Sequence, residues 1–357
     1  MKQVDYIIVG QGLAGSCLAQ TLMHEKQTVV VFASTQKKAS SEVAAGLYNP
    51  ITGKKMVLTW NAKELFPFLI EYYSKMEEEL KTSILFPKKI YRPFSDIQAQ
   101  NDFWAKSSSE NAAFAEAESN NDRFAPYIYN PFGGISTKMS GYVDVKAFLY
   151  AFREKLIKAD SFVDEALDYS AIQFENHYIQ YKDIQAKKII FAEGYHNRTN
   201  PYFNWLPVNG MKGDVVTLQI ENYPLTEVVN KHFFIIPLPN GSFRMGSSYI
   251  RTFENDLPTQ QGLDEILEGA NTILKKPFVL INQQAGIRPV VPDHRPIIGQ
   301  HPEQPLAIVI NGLGTKGVSL APFASRELVK FLLLGQEIEQ SISVNRFNYL
   351  YFKQKKG

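Results

Sequence analysis

The sequence predicts an α/β fold that starts on a βαβ unit, turns to the strands of a second sheet in its middle, and returns to the opening pattern at its end. Three observations predict it. The chain opens on an apolar strand, a glycine turn, a helix and a second apolar strand, which is a βαβ unit. It closes on another strand, glycine turn and helix. Between these ends lie short strands that repeat neither pattern.

The 357 residues allow roughly two domains. Lys+Arg 38 against Asp+Glu 36 leaves a formal net charge of +2, so no broad field draws the chain to nucleic acid or an acidic membrane. With 45% hydrophobic and 21% charged residues, the composition excludes a disordered protein. The single cysteine, Cys17, excludes a disulfide framework and a Cys-rich zinc site. His177, His196 and His232 lack metal spacing, so no metal is expected. The apolar run at residues 6–9 is too short for a signal peptide, and no window of about 18 apolar residues occurs. A soluble, cytoplasmic protein is expected. The lysine pairs at 37/38, 54/55, 88/89, 187/188 and 275/276 are dispersed, as on a solvated surface.

Taken in order, residues 4–9 form a buried strand, 16–25 a helix, and 28–32 a β-branched strand. Residues 45–50 are turn-forming, 62–80 have helical spacing, and 107–122 read as surface helix and loop. A helix over 143–158 buries Val145, Phe148, Leu149, Phe152 and Leu156 at intervals of three or four. Strands at 214–220, 228–237 and 242–248 belong to a second sheet, and 263–274 is a helix. The strand at 306–310 leads through the glycine turn 312–317 into a helix ending near 334.

Gly10-Gln11-Gly12-Leu13-Ala14-Gly15 matches G-x-G-x-x-G after a strand and before a helix. Gly10 permits the tight turn, Gly12 lets backbone approach a pyrophosphate, and Gly15 lets helix and strand pack closely. The helix N-terminus then offers N–H groups and a positive dipole end to the phosphates. The acid expected about 20 residues on, for the ribose hydroxyls, is absent: Phe32 is followed by Ala33-Ser34-Thr35. Ser34, Thr35 or the backbone must serve instead. Gly312-Leu313-Gly314-Thr315-Lys316-Gly317 is a second such turn, but only 40 residues follow it and they hold no further strand. It therefore reads as a helix end aimed at something already bound. A flavin ring fits, because its N1–C2=O edge gains negative charge on reduction, which Lys316 and the helix end would stabilise.

With these motifs the chain resembles the FAD-dependent D-amino acid oxidase, glycine oxidase and sarcosine oxidase family over nearly its full length. Ser41-Glu42-Val43-Ala44-Ala45-Gly46-Leu47 resembles the family's S-x-x-A-A-G segment, and Gly141-Tyr142-Val143-Asp144 its G-x-V-D helix entry. Ala192-Glu193-Gly194 resembles its A-x-G strand end. Gly286-Ile287-Arg288-Pro289, with Asp293 and Pro296-Ile297-Ile298-Gly299, resembles G-[IL]-R-P…D-x-x-P-x-[IL]-G. The resemblance implies a discontinuous, Rossmann-like (glutathione-reductase-like) FAD domain of residues 1–53, 140–205 and 286–357, with a mixed-sheet α+β substrate domain of 54–139 and 206–285 inserted into it. It implies non-covalent FAD, since no cysteine lies near the flavin positions. The implied contacts are Gly10, Gly12, Leu13, Ala14 and Gly15, then Ala33 and Ser34, then Ser41, Ala44, Ala45, Gly46 and Leu47. They continue through Leu167, Ala192, Gly194 and Arg288 to Gly312, Gly314, Thr315, Lys316 and Gly317.

The resemblance also implies that Arg288 clamps a substrate carboxylate before the flavin. Pro289 restricts it to extended backbone, and a guanidinium fork suits a carboxylate. The competing reading is an ion pair with Asp293. Tyr249 could bind the same carboxylate. Tyr48 and Asn49 lie beside the flavin-side turn, and His294 reads as a surface or FAD-supporting residue. Arg288, Lys316 and Tyr249 are thus the candidate catalytic residues. The implied reaction is oxidation of a small amine or amino acid bearing a carboxylate. The amine binds neutral, the α-hydrogen leaves as hydride to flavin N5, and the imine hydrolyses. Dioxygen or another acceptor then reoxidises the flavin. A second resemblance is to the oxidase domain of the bifunctional tRNA wobble-uridine modification protein. Against it stand the near-neutral charge and the absence of a methyltransferase partner domain. A third reading is a flavin-binding subunit of a multi-subunit amino acid dehydrogenase.

Overall fold

The computed structural model describes residues 1–36, 39–53, 55–106 and 109–356. Lys37, Lys38 and Lys54 of the lysine pairs, and Ser107 and Ser108 of the expected surface stretch, lie outside the described residues.

Strands that must be covered on both faces read as continuous apolar runs. Lys2–Val9 and Val29–Phe32 do so: Ile7, Ile8 and Val31 are fully buried. They pair in parallel, Lys2–Val9 also pairs with Ile184–Phe191, and the latter with Ala307–Asn311. Phe162–Val163 adds a parallel strand outside Val29–Phe32. Antiparallel Ile179–Tyr181 and Ile297–Gln300 complete the flanks. The sheet thus draws on the start, middle and end of the chain. The strand Phe162–Val163 and the meander of Ile172–Phe174 and Ile179–Tyr181 were not expected from the sequence. They are two or three residues long, too short for a periodicity to register.

The first helix is Leu13–His24, starting three residues earlier than the spacing suggested. The turn ends at Gly12, and Gly15 already lies inside the helix. A Cβ on Gly15 would stand 1.9 Å from the Gly10 carbonyl oxygen, so only glycine lets the helix sit this close. The helix packs on the closing helix Gly317–Leu334, and Cys17, Leu18, Ala321 and Leu328 of the pair are fully buried in one core. Ala62–Leu80 covers the same core, and its Tyr73 hydroxyl donates to the Val318 carbonyl at 3.2 Å. Val145–Lys158 begins after Asp144, whose carboxylate accepts from Ala147 N at 3.0 Å. That cap explains why the helix starts two residues later than expected.

The second sheet has eight strands. Its order is Phe278–Val290, Asn209–Ile220, Phe243–Gly246, Phe234–Pro237, Val228–Asn230, Ile90–Pro93, Gly134–Thr137 and Ala115–Ala117. All pairs are antiparallel except Val228–Asn230 with Ile90–Pro93. Gln260–Ile273 packs on one face. The expected strand at 228–237 is a hairpin, because the polar pair Lys231-His232 turns the chain back. The expected surface stretch at 107–122 contains Ala115–Ala117, an edge strand that buries Ala115. Phe278–Val290, 13 residues long, was missed. Its first half is largely exposed, so it shows no clean alternation. Residue 286, taken as the return to the first domain, lies within this strand.

Gly15→Ala should lower stability by about 1–3 kcal/mol, the usual range for overpacking. A denaturant midpoint equal to wild type would contradict the close-packing role of Gly15.

Candidate active site

A cleft of about 940 Å³ runs between the carboxyl ends of the first sheet and one face of the second. This is at the upper end of the roughly 300–1,000 Å³ typical of small-molecule sites. Open α/β sheets place ligands beyond the carboxyl ends of their strands. The cleft floor here begins at Val9, Phe32, Ala192 and Asn311, the last residues of four strands or their neighbours. Two helix N-termini open into it. The N-cap positions are Gly12 and Lys316; neither gives a side-chain cap, and neither helix has an acid in its first turn. The two ends meet: a Cβ on Gly317, in the closing turn, would lie 3.3 Å from Leu13 Cδ1. The chain's opening and closing glycine turns therefore form one wall.

Most of the expected cofactor positions line this cleft. Gly10, Gly12, Leu13 and Ala14 line it at the first turn, and Ala33, Ser34 and Leu167 at the outer end. Ser41, Ala44, Ala45, Gly46 and Leu47 form one side, and Ala192 and Gly194 the floor. Gly312, Gly314, Thr315, Lys316 and Gly317 form the other side. Leu13 N–H donates to Ser41 Oγ at 3.2 Å, which fixes the two segments to each other. Two expectations need correction. Gly15 does not line the cleft; it is buried against Gly10, and its part is packing. Tyr48 is fully buried in the main core, its hydroxyl without a partner, so it faces no substrate. Asn49 lines the cleft, with Oδ1 accepting from Ile51 N at 3.0 Å.

The outer end answers the missing acid. Thr35 is engaged: its N–H and hydroxyl both donate to Asp164, the former at 2.7 Å. Ser34 remains on the cleft wall, joined by Glu165. Glu165 follows Phe162–Val163, which pairs beside Val29–Phe32 in the register Val163 to Phe32. An acid therefore lies at the same end of the sheet, on the neighbouring strand. Local spacing along the sequence cannot reveal it, because 129 residues separate Thr35 from Asp164.

Arg288 stands at the opposite end. Its guanidinium lies 5.0 Å from the centre of the Tyr249 ring, and Nη1 donates to the Ser248 carbonyl at 3.4 Å. Both Arg288 and Tyr249 line the cleft. The guanidinium fits only because residue 213 on the paired strand has no side chain: a Cβ there would fall 2.0 Å from Nη2. Burial holds the Arg288 pKa below the ordinary arginine value, while Tyr249 and Asp214 oppose that shift. The competing ion pair is ruled out, since Asp293 is taken by Arg346 Nε at 2.8 Å. Gly314 N–H donates to the Pro289 carbonyl at 3.0 Å, tying the arginine's strand to the closing glycine turn. His294 also lines the cleft.

Lys316 occupies the N-cap position of the closing helix and lines the same space. Burial, then the like charge of Arg295, lowers its pKa. Sequence reasoning missed Glu193, Tyr169, Arg92, Asn230, Lys231 and Phe234, which also line the cleft. Glu193 accepts from Tyr169 Oη at 2.5 Å and Asn200 Nδ2 at 2.6 Å, and burial raises its pKa against those bonds. Its position inside the A-x-G strand end was the one available signal. Among the described residues, no group of three His, Cys, Asp or Glu could hold a metal ion, and no helix is long and apolar enough to cross a membrane.

Two helix N-termini on one cleft, with an arginine beyond them, fit a dinucleotide-binding enzyme. The sequence matches the family of FAD dependent oxidoreductases, DAO, over residues 5–331, and the chain belongs to that family. It is 27% identical over 165 residues to glycine oxidase of Bacillus subtilis (strain 168), covering 44% of each chain. It is 24% identical over 370 residues to the tRNA 5-methylaminomethyl-2-thiouridine biosynthesis bifunctional protein MnmC of Idiomarina loihiensis, covering 96% of this chain and 59% of that protein. The chain thus spans about half the length of these relatives. The fold is that of glycine oxidase from Geobacillus kaustophilus, with a TM-score of 0.77 at 17% identity, covering 95% of this chain and 96% of that one.

FAD is the cofactor of this family, and the cleft suits it. Gly10, at φ +102°, places its backbone where a Cβ would strike the Ala192 carbonyl at 2.6 Å, leaving room above for a pyrophosphate. Neither N-cap residue gives a side-chain cap, and apart from Leu13 N–H, which Ser41 Oγ takes, the N–H groups at the helix ends suit phosphate and an electron-rich ring edge.

Gly12→Val should yield folded protein without flavin absorbance, because the branched side chain enters the phosphate space. Equal flavin content per chain would contradict this. Gly213→Ala should keep the flavin but displace the Arg288 guanidinium, weakening acetate binding about tenfold or more. Acetate titration followed by flavin absorbance checks it, and an unchanged Kd would contradict it.

Proposed function

We propose that the protein oxidises a small amine or amino acid that carries a carboxylate. The observation that carries this reading is the Arg288 guanidinium, on the cleft wall, backed by Tyr249 and, though buried Asp214 acts on it electrostatically, in no ion pair among the described residues. A planar fork of N–H donors suits a carboxylate bidentately. Arg288 would hold the acid and so set the substrate's α-carbon, and Tyr249 would supply a further hydroxyl donor. FAD, when bound, supplies a two-electron acceptor for the hydride from that carbon. The N–H groups ahead of Gly317–Leu334 and Lys316 would stabilise negative charge at the acceptor's edge. No carboxylate lines the cleft near Arg288 among the described residues, so nothing there favours a protonated amine. The neutral amine is the form these residues admit, and the C–N bond is the one oxidised.

A second reading has one observation in its favour. The relative matched over 96% of this chain is a tRNA 5-methylaminomethyl-2-thiouridine biosynthesis protein. An oxidase acting on a glycine-like group of a tRNA base would use the same arginine. Retention of tRNA by the purified protein at low salt separates the readings: the small-substrate reading expects none.

Anaerobic mixing with glycine, N-methylglycine, proline and the D-amino acids should bleach the flavin with at least one of them. No bleaching with any carboxylate-bearing amine would contradict the reading. Arg288→Ala should keep flavin and weaken such a substrate by about 2–5 kcal/mol, as for truncating one partner of a desolvated charge pair. Unchanged saturation kinetics would count against the clamp. The rate constant kcat/KM should rise with pH as the free amine forms. A flat profile would contradict binding of the neutral amine.

A further inference from the structure

The floor of the cleft continues well past Arg288. Val215 pairs with Gly246, Gly246 with Phe234, and Phe234 with Asn230, and all four line the cleft. They form one row across the second sheet. The next strand, Ile90–Pro93, carries Arg92 to the same wall. Strands lie about 4.8 Å apart, so Arg92 starts about 19 Å from Gly213, the residue beneath the Arg288 guanidinium.

Arg92 is only 4% exposed. It donates from Nη1 to the Ile51 carbonyl and from Nη2 to the Gly53 carbonyl at 2.9 Å, and its Nε has no partner. With burial the sole cause, its pKa falls to about 10. No carboxylate pairs with it among the described residues. A guanidinium has five N–H donors, so three remain. Lys231 and His232, at the turn of the adjoining hairpin, line the same end. The acids lining the cleft among the described residues are Glu165 and Glu193, both at the first sheet. The substrate half of the cleft is therefore positively charged at both of its ends. One carboxylate on Arg288 leaves the far end uncompensated.

We propose that the far end is a second anion subsite, and that the natural substrate is an amino acid whose substituent bears a further carboxylate or phosphate, held by Arg92 and Lys231. The inference rests on the reading of Arg288 as the clamp for the first carboxylate. The separation of the two ends favours a substituent of several bonds, and the long arginine and lysine side chains shorten the gap to be bridged.

The holoenzyme, titrated with unreactive anions while flavin absorbance is followed, tests this. Acetate probes Arg288 alone. Succinate, glutarate and adipate add a second carboxylate at increasing distance, and 3-phosphonopropionate adds a phosphonate. At least one dianion should bind about tenfold more tightly than acetate, and Lys231→Glu should reduce that advantage by about tenfold. A phosphonate that outperforms every dicarboxylate assigns the natural group to the phosphate class, and the reverse assigns it to the carboxylates. Acetate binding as tightly as every dianion, or an advantage that survives in Lys231→Glu, overturns the second subsite alone. Absence of a spectral change with any anion overturns it together with the Arg288 clamp.

Discussion

The structure depends on two helix N-termini being brought together on one cleft, neither capped by the side chain of its own N-cap residue. Leu13–His24 and Gly317–Leu334 come from opposite ends of the chain, yet Leu13 touches Gly317. Their packing against each other holds them in place, with Cys17, Leu18, Ala321 and Leu328 fully buried in the shared core. Unsatisfied N–H groups are unfavourable at a buried helix end unless a ligand takes them. The same feature that leaves the cleft wall incomplete makes it suited to phosphates and to an electron-rich ring edge. The parallel sheet serves this arrangement, since its strands end where the helices begin.

The second sheet supplies a different constraint. Gly213 has no side chain, and Arg288 occupies the space this leaves. Gly314 N–H to Pro289 O then links that strand to the closing turn. The arginine is thus tied through one hydrogen bond to the segment that carries Lys316. The placement of the guanidinium relative to the closing turn follows from backbone geometry more than from side-chain choice. Among the described residues, the acids that line the cleft lie at the first sheet, whereas Arg92, Lys231 and Arg288 come from the second and Lys316 from the closing turn of the first.

The parts legible in the sequence are those with strong local signals. The strand, glycine turn and helix at each end were readable because glycine spacing and apolar runs act over a few residues. The helix Ala62–Leu80 kept its 3.6-residue spacing and appears with the expected bounds. Arg288 was readable through the proline after it. What stayed hidden depends on contacts distant in the chain. Glu165 reaches the cofactor end because Phe162–Val163 docks beside Val29–Phe32. Arg92 reaches the cleft because its strand pairs in parallel with Val228–Asn230, which comes much later in the chain. Tyr48 sits in a turn that spacing alone assigns to the cleft, yet its ring points into the core, a choice made by packing.

The most direct measurement is the identity and amount of the small molecule released when the purified protein is denatured. The account predicts FAD, non-covalent and close to one per chain, with the released nucleotide intact. Release of a nicotinamide dinucleotide instead, or a chain that takes up no FAD when it is supplied, would contradict the joined glycine turns as a flavin site.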